Sequence, residues 1–188
     1  MNTDLIDTVA EVFSLYEKFG DEVYIGEPVS QLEHMSQSAQ LAMNEGFDDE
    51  VILAAFFHDI GHICVMSQSE TSMGGYGVKS HEKIGADYLR TKGFPERVAK
   101  LVENHVQAKR YLTFTFPEYL DNLSEASRMT LGFQGGVMTK EEATAFENDS
   151  LFETSIRMRK WDELAKEINV PILDLNVLKE KAVSVLKK

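Results

Sequence analysis

The sequence predicts an all-α fold, a helical bundle enclosing a two-metal centre. Three observations carry that expectation: apolar residues recur at helical spacing, capping signatures precede several of those runs, and the histidines are evenly spread. His34, His58, His81 and His105 are separated by 24, 23 and 24 residues, each gap being one helix plus a connection. That rhythm lets successive helices each point an imidazole at a shared centre. Almost no segment alternates with a period of two.

Residues 3–18 carry Leu5, Ile6, Val9, Val12, Phe13 and Tyr16 at helical period and are closed by Gly20. Residues 20–29, with Tyr24, Gly26, Glu27 and Pro28, read as a loop. Ser30 and Glu33 form a capping box, which puts His34 in the first turn of a second helix. Asp48 can cap a third, whose continuous apolar run from Val51 to Phe57 suits a buried helix delivering His58 and Asp59. A glycine-bearing loop over 72–77 follows, and Ser80 can cap a helix from His81 to near Gly93. Pro95 opens another through His105 to about Tyr111, and Pro117 opens one through Ser127 that Gly135 and Gly136 break. Thr139 and Glu142 make a second capping box, and a long helix over about 151–168 carries Asp162.

The adjacent pair His58-Asp59 lets one helix supply a neutral nitrogen ligand and a carboxylate whose two oxygens can bridge two cations. With His34 and a late aspartate such as Asp162, a first metal has four protein ligands. His81 and His105 give a second metal two nitrogens beside the shared Asp59. Positions left open on such metals are where water or substrate binds. Asp149 competes with Asp162, but it precedes the last metal-bearing helix and lacks an arginine neighbour. Lys109, four residues after His105, and Arg159, three before Asp162, project on the same faces as ligands and suit a phosphate or phosphonate head group. His62 can also face the centre, behind the ligands. A lone histidine on an apolar face is more often a satisfied core residue than a ligand, but five in register favour metal.

A chain of 188 residues without a linker or repeat is expected to form one domain, 1–188. It contains no apolar run of about 18 residues and no signal-peptide pattern, so a cytoplasmic protein without a membrane span is expected. The lone Cys64 fits a reducing compartment. A net charge of −12 argues against nucleic acid as a partner, whereas inward cations leave an anionic small molecule open.

The string His34, His58-Asp59, Asp162 resembles the HD-domain superfamily, whose helical members are typically metal-dependent phosphohydrolases. The added His81 and His105 shift the resemblance to the subgroup with six protein ligands and two irons. Longer strings resemble the PhnZ-type phosphonate oxygenases within it: Tyr24-Ile25-Gly26-Glu27, Ser30-Gln31-Leu32-Glu33-His34, Gly74-Gly75-Tyr76-Gly77, Lys109-Arg110-Tyr111-Leu112 and Phe133-Gln134-Gly135-Gly136. Residues after about Val170 and the segment 113–118 are not matched.

This resemblance implies an Fe(II)/Fe(III) pair that uses dioxygen to break the carbon–phosphorus bond of a 1-hydroxyphosphonate. It implies His34, His58, Asp59 and Asp162 on one iron, and His81, His105 and the bridging Asp59 on the other. Tyr24 would be a resting-state ligand of the second iron, Glu27 would read a substrate ammonium, and Lys109, Ser127, Gln134 and Arg159 would grip the phosphonate. His62 would lie behind the oxygen site. The expected substrate is (R)-2-amino-1-hydroxyethylphosphonate, giving glycine and phosphate, supplied by an upstream 2-oxoglutarate-dependent hydroxylase. The trimethylammonio analogue, hydroxymethylphosphonate, a hydrolysed phosphate ester and a non-catalytic sensor role are the alternatives. Tyr24 and Tyr76 are candidates for cation–π contact with a quaternary ammonium.

Overall fold

A computed structural model describes residues 3–24, 26–65, 73, 75 and 77–187. The described residues form α-helices joined by short connections, with an isolated bridge between Val23 and Ser30 and no strand among them. The expected all-α class is what is observed. Part of the expected glycine loop, including Gly74 and Tyr76, lies outside the described residues.

Helix α1 (Thr3–Phe19) turns its apolar face inward, and Phe13 and Tyr16 stack on Phe56 at ring distances of 5.6 and 4.5 Å. Helix α2 (Gln31–Asn44) starts at the expected capping box of Ser30 and Glu33. Helix α3 (Asp49–Phe57) begins at the Asp48 cap, and every residue from Val51 to Phe57 is buried. It is the central rod of the bundle. Packed around it are α2, α6 (Glu96–Thr115), α10 (Phe152–Leu164) and α11 (Leu175–Leu186). A helix apolar on all sides needs such a sheath, because no face of it can meet water without cost.

His58 and Asp59 sit where α3 stops, and a new short helix, α4 (Ile60–Cys64), starts one residue later. The break separates His58 from His62, which their spacing alone would place on one helix. Gly61 allows α4 to lie against the start of α5 (His81–Thr91), since a Cβ there would stand 1.9 Å from the His81 carbonyl oxygen. Ser80 does not cap α5 with its side chain. Its backbone is left-handed, with φ of 57°, which carries the hydroxyl away from the helix amides.

Helix α6 runs to Thr115, four residues past the expected end, because nothing before Pro117 removes an amide from the helical ladder. The single helix expected from Pro117 through Ser127 is instead two. Helix α7 (Pro117–Asn122) ends before Leu123 turns extended, and Ser124 caps α8 (Glu125–Phe133) by accepting from the Ser127 amide. Thr139 and Glu142 form the second expected capping box at α9 (Lys140–Glu147).

Helix α10 ends at Leu164, short of the expected Ile168. The Ala165 carbonyl accepts from His34 Nδ1, and the Gln37 side chain pairs with both the carbonyl and the amide of Glu167. Those side-chain bonds replace a further helical turn. The unmatched tail forms α11, whose Leu178, Ala182 and Val185 complete the core against α1 and α3.

Candidate metal centre and substrate pocket

Four imidazoles converge in the interior: His34 from α2, His58 from the end of α3, His81 from the start of α5, and His105 from the middle of α6. All are at most 3% exposed. Each donates its Nδ1–H to a backbone carbonyl, on Ala165, Ala55, Val78 and Val102 respectively, at 2.6 to 3.2 Å. A carbonyl can only accept, so each Nδ1 carries the proton and each Nε2 keeps its lone pair.

Those lone pairs meet in twos, with His34 Nε2 and His58 Nε2 3.0 Å apart and His81 Nε2 and His105 Nε2 also 3.0 Å apart. Two acceptors that close repel unless a cation lies between them. Asp59 joins the pairs. Its Oδ2 faces His34 and His58 at 3.7 and 3.5 Å, and its Oδ1 faces His81 and His105 at 3.2 and 3.4 Å. Asp162 Oδ1 stands 3.4 Å from His34 Nε2, on the first pair's side only. Asp149 does not enter; it receives the Asn104 amide and caps the Leu151 amide. The sequence-derived preference for Asp162 over Asp149 therefore agrees with the geometry.

The donor set fits two cations of the iron, zinc or manganese kind: neutral nitrogens oriented from behind by carbonyls, with the Asp59 carboxylate between the two pairs and Asp162 beside the first. Charge supports the same assignment. Burial opposes ionisation of Asp59, yet the surrounding imidazoles, His58 first and then His105 and His81, hold its carboxyl well below the usual range. Asp162 is likewise held low against burial, chiefly by the guanidinium of Arg159 bonded to its Oδ2. Burial pushes His58 down to about 4, so it stays a neutral ligand at physiological pH.

His62 lines the same centre but faces it differently. Its Nδ1 accepts the Val78 amide at 3.1 Å, which puts the proton on Nε2, 3.9 Å from Asp59 Oδ1. The ring stacks on His81 at 4.0 Å. In this tautomer His62 offers the centre a donor rather than a lone pair, although its ring lies close enough to Asp59 and His81 for the three to share an ion. Gly77, with φ of 102°, passes so close that a Cβ would be 2.7 Å from the His62 ring.

Tyr24 lies ring-to-ring on His34 at 4.1 Å, and its phenol bonds Asp59. Burial, then the charges of Asp59 and Asp162, push that phenol well above its usual range. A pocket of about 60 Å³ opens on the centre. Into it face Lys109, Ser127, Gln134 and Arg159, as well as Glu27 at its outer edge. Lys109 Nζ donates to the Ser127 carbonyl at 3.3 Å and to Thr130 Oγ1 at 3.1 Å. Arg159 reaches Ser127 Oγ at 3.5 Å. Gln134 Oε1 is buried and has no hydrogen-bond partner among the described residues. Glu27 is not free: Lys166 Nζ is 2.5 Å from its Oε1.

Sequence reading missed several residues that build this pocket. Thr130 anchors Lys109, Tyr119 and Glu163 bond Arg159, and Arg110 holds the Gly135 and Gly136 carbonyls behind Gln134. Gln31, at 4% exposure, presents an unpartnered Oε1 beside Tyr24; its place within the string before His34 was the only signal.

A family model described as HD domain matches residues 31–151. Three relatives show how far the likeness extends. An uncharacterized protein of Acanthamoeba polyphaga mimivirus is 44% identical over 184 residues, covering 98% of this chain and 84% of that one. The 1-hydroxy-2-(trimethylamino)ethylphosphonate dioxygenase (glycine-betaine-forming) of Leisingera caerulea is 40% identical over 160 residues, 85% of this chain and 81% of its own. The hydroxymethylphosphonate dioxygenase of Gimesia maris is 36% identical over 169 residues, 90% and 83% of the two chains.

Proposed function

The chain belongs to the HD-domain family, in its PhnZ-type oxygenase branch, and from that premise we propose that it is a di-iron oxygenase that cleaves the carbon–phosphorus bond of a 1-hydroxyphosphonate. The observation that carries the reading is Asp59, with one carboxylate oxygen turned to each of two imidazole pairs. In this proposal His34, His58, Asp59 and Asp162 hold one iron. His81, His105 and Asp59 hold the other, with Tyr24 as its resting-state ligand. An Fe(II)/Fe(III) pair supplies one-electron chemistry with dioxygen at the carbon bearing phosphorus.

The protein's own residues bind and orient. Lys109, Ser127, Gln134 and Arg159 grip the phosphonate oxygens, and the unpartnered Gln134 carbonyl accepts from a protonated phosphonate oxygen or the 1-hydroxyl. Fixing the head group by several contacts holds carbon 1 in one place, which is the largest contribution a pocket of this size can make. In this reading His62, which lines the pocket with its Nε2–H as donor, would donate to the reacting oxygen. Tyr24, displaced from the centre as substrate enters, keeps the metals covered until then.

Substrate choice follows from the pocket's far end. Glu27 suits a cationic tail. Of the described residues lining the pocket, Tyr24 is the only phenol, and one of its faces is stacked on His34 in the substrate-free protein, so the lining does not make a cage. A quaternary ammonium prefers an aromatic cage, so a primary ammonium fits better. Tyr76, the other aromatic considered for such contact, lies outside the described residues. We therefore place 2-amino-1-hydroxyethylphosphonate first, with glycine and phosphate as products and a 2-oxoglutarate-dependent hydroxylase as the upstream source.

The test is oxygen uptake by iron-loaded protein with this phosphonate, its trimethylammonio analogue and hydroxymethylphosphonate, phosphate being assayed beside an anaerobic control. Oxygen-dependent phosphate release is the expected result. Release that persists without oxygen would instead make the protein a hydrolase.

A further inference from the structure

We propose that Lys166 is a specificity-determining residue: its ammonium occupies Glu27 in the substrate-free protein as an internal counter-ion, and the cationic end of a substrate must displace it. This rests on the reading of Glu27 as the group that meets a substrate ammonium.

The Lys166–Glu27 pair joins residues 139 apart in sequence, with N···O at 2.5 Å and the two side chains 19% and 10% exposed. The main chain at Lys166 is pinned on both sides. Ala165 gives its carbonyl to His34, and Glu167 is held through both backbone groups by Gln37 at 2.9 and 3.1 Å. Only the four-carbon stem and its ammonium are left to move.

The pair stands at the junction of two cavities. Glu27, Ser127 and Arg159 line both the 60 Å³ metal pocket and an outer cavity of about 300 Å³, whereas Lys166 lines the outer one alone. A substrate ammonium would therefore approach Glu27 from the metal side, and Lys166 has room to withdraw outward. Glu163, whose Oε1 already accepts from Arg159 and Tyr119, lines that outer cavity as well and is a carboxylate that a withdrawn ammonium would share with Arg159. The exchange keeps charges paired: Glu27 trades one ammonium for another, and Lys166 stays beside a carboxylate. No buried charge is stranded, so the swap avoids the largest electrostatic penalty. A phosphonate without a cationic tail leaves the pair intact and bears no cost for breaking it.

Lys166 thus handicaps cationic substrates relative to tail-less ones. In iron-loaded Lys166→Met the KM for the aminated substrate, 2-amino-1-hydroxyethylphosphonate, should fall about fivefold, while that for hydroxymethylphosphonate stays put. Lys166→Arg should restore the wild-type ratio. A second readout needs no turnover: ethylammonium chloride should raise the melting temperature of K166M, but not that of wild type or of the E27Q/K166M double variant. K166Q serves in the same assays should K166M not fold. An unchanged KM ratio together with no ethylammonium response would reduce Lys166 to a structural contact. Failure of wild type to turn over any phosphonate would sink the functional reading, and the ethylammonium result would still decide Lys166.

Discussion

Asp59 is asked to satisfy two imidazole pairs at once, one with each oxygen. An amide cannot do this, because one of its two terminal atoms is a donor. Asp59→Asn should therefore abolish both metals, whereas His81→Ala should remove the second and leave about one iron per chain; iron-to-protein ratios after gel filtration distinguish the two. Lys109 carries a pH dependence. Burial, then repulsion from Arg159, brings its ammonium down to about 7. The folded value lies below the ordinary value of 10.5, so stability falls as pH drops from about 10.5 to about 7 and levels off below that, once the substrate-free site has taken up the proton. The anionic phosphonate needs that proton, so kcat/KM should fall about tenfold per pH unit above a limb no higher than about 7. Lys109→Met should lose this limb and keep only the substrate's own titration; an identical profile would remove Lys109 from the head-group contacts. The ligands were legible in sequence because all five histidines fall in register and His58-Asp59 is contiguous. Ser127 and Gln134 were legible only by resemblance. Tyr119 and Lys166 were not, since their partners lie 40 and 139 residues away and no local pattern encodes such a contact.

Most of the ligands lie where a helix starts or stops, His105 in the middle of α6 being the exception. Capping boxes at Ser30 and Thr139 were visible because both partners lie within four residues. The breaks were not: α3 ends at Phe57, α7 at Asn122 and α10 at Leu164, and at α10 the cause is a set of bonds from His34 and Gln37, more than 100 residues earlier. Two substitutions separate these kinds of control. Ser30→Ala removes the acceptor for the Glu33 amide and should cost about 1 kcal/mol in urea unfolding. Its iron content should stay near normal, because His34 is held from behind by Ala165 rather than by the cap. Gly61→Ala forces a Cβ into the His81 carbonyl and should cost about 3 kcal/mol. Here iron should fall with stability, since the displaced backbone belongs to a ligand.

Core and metal centre form one cooperative object through α3, which is buried along its length and ends at Phe57, next to His58. The sheath around it is completed by α11, the segment sequence reading could not place, because an amphipathic helix shows its inward face but not its neighbour. Leu178 is fully buried in that sheath, within the apolar core. Leu178→Ala should therefore lower unfolding free energy by about 3 kcal/mol through the cavity it leaves. Metal acts on the same equilibrium by a different route, since ions that bind only the folded chain stabilise it by mass action. Removing iron with a chelator should lower the melting temperature of wild type, and excess iron should restore part of what Leu178→Ala loses. If the two effects are independent, the shift on chelation is the same in both proteins. A shift much smaller in Leu178→Ala would mean that losing α11 packing has already loosened the α3 end that carries His58.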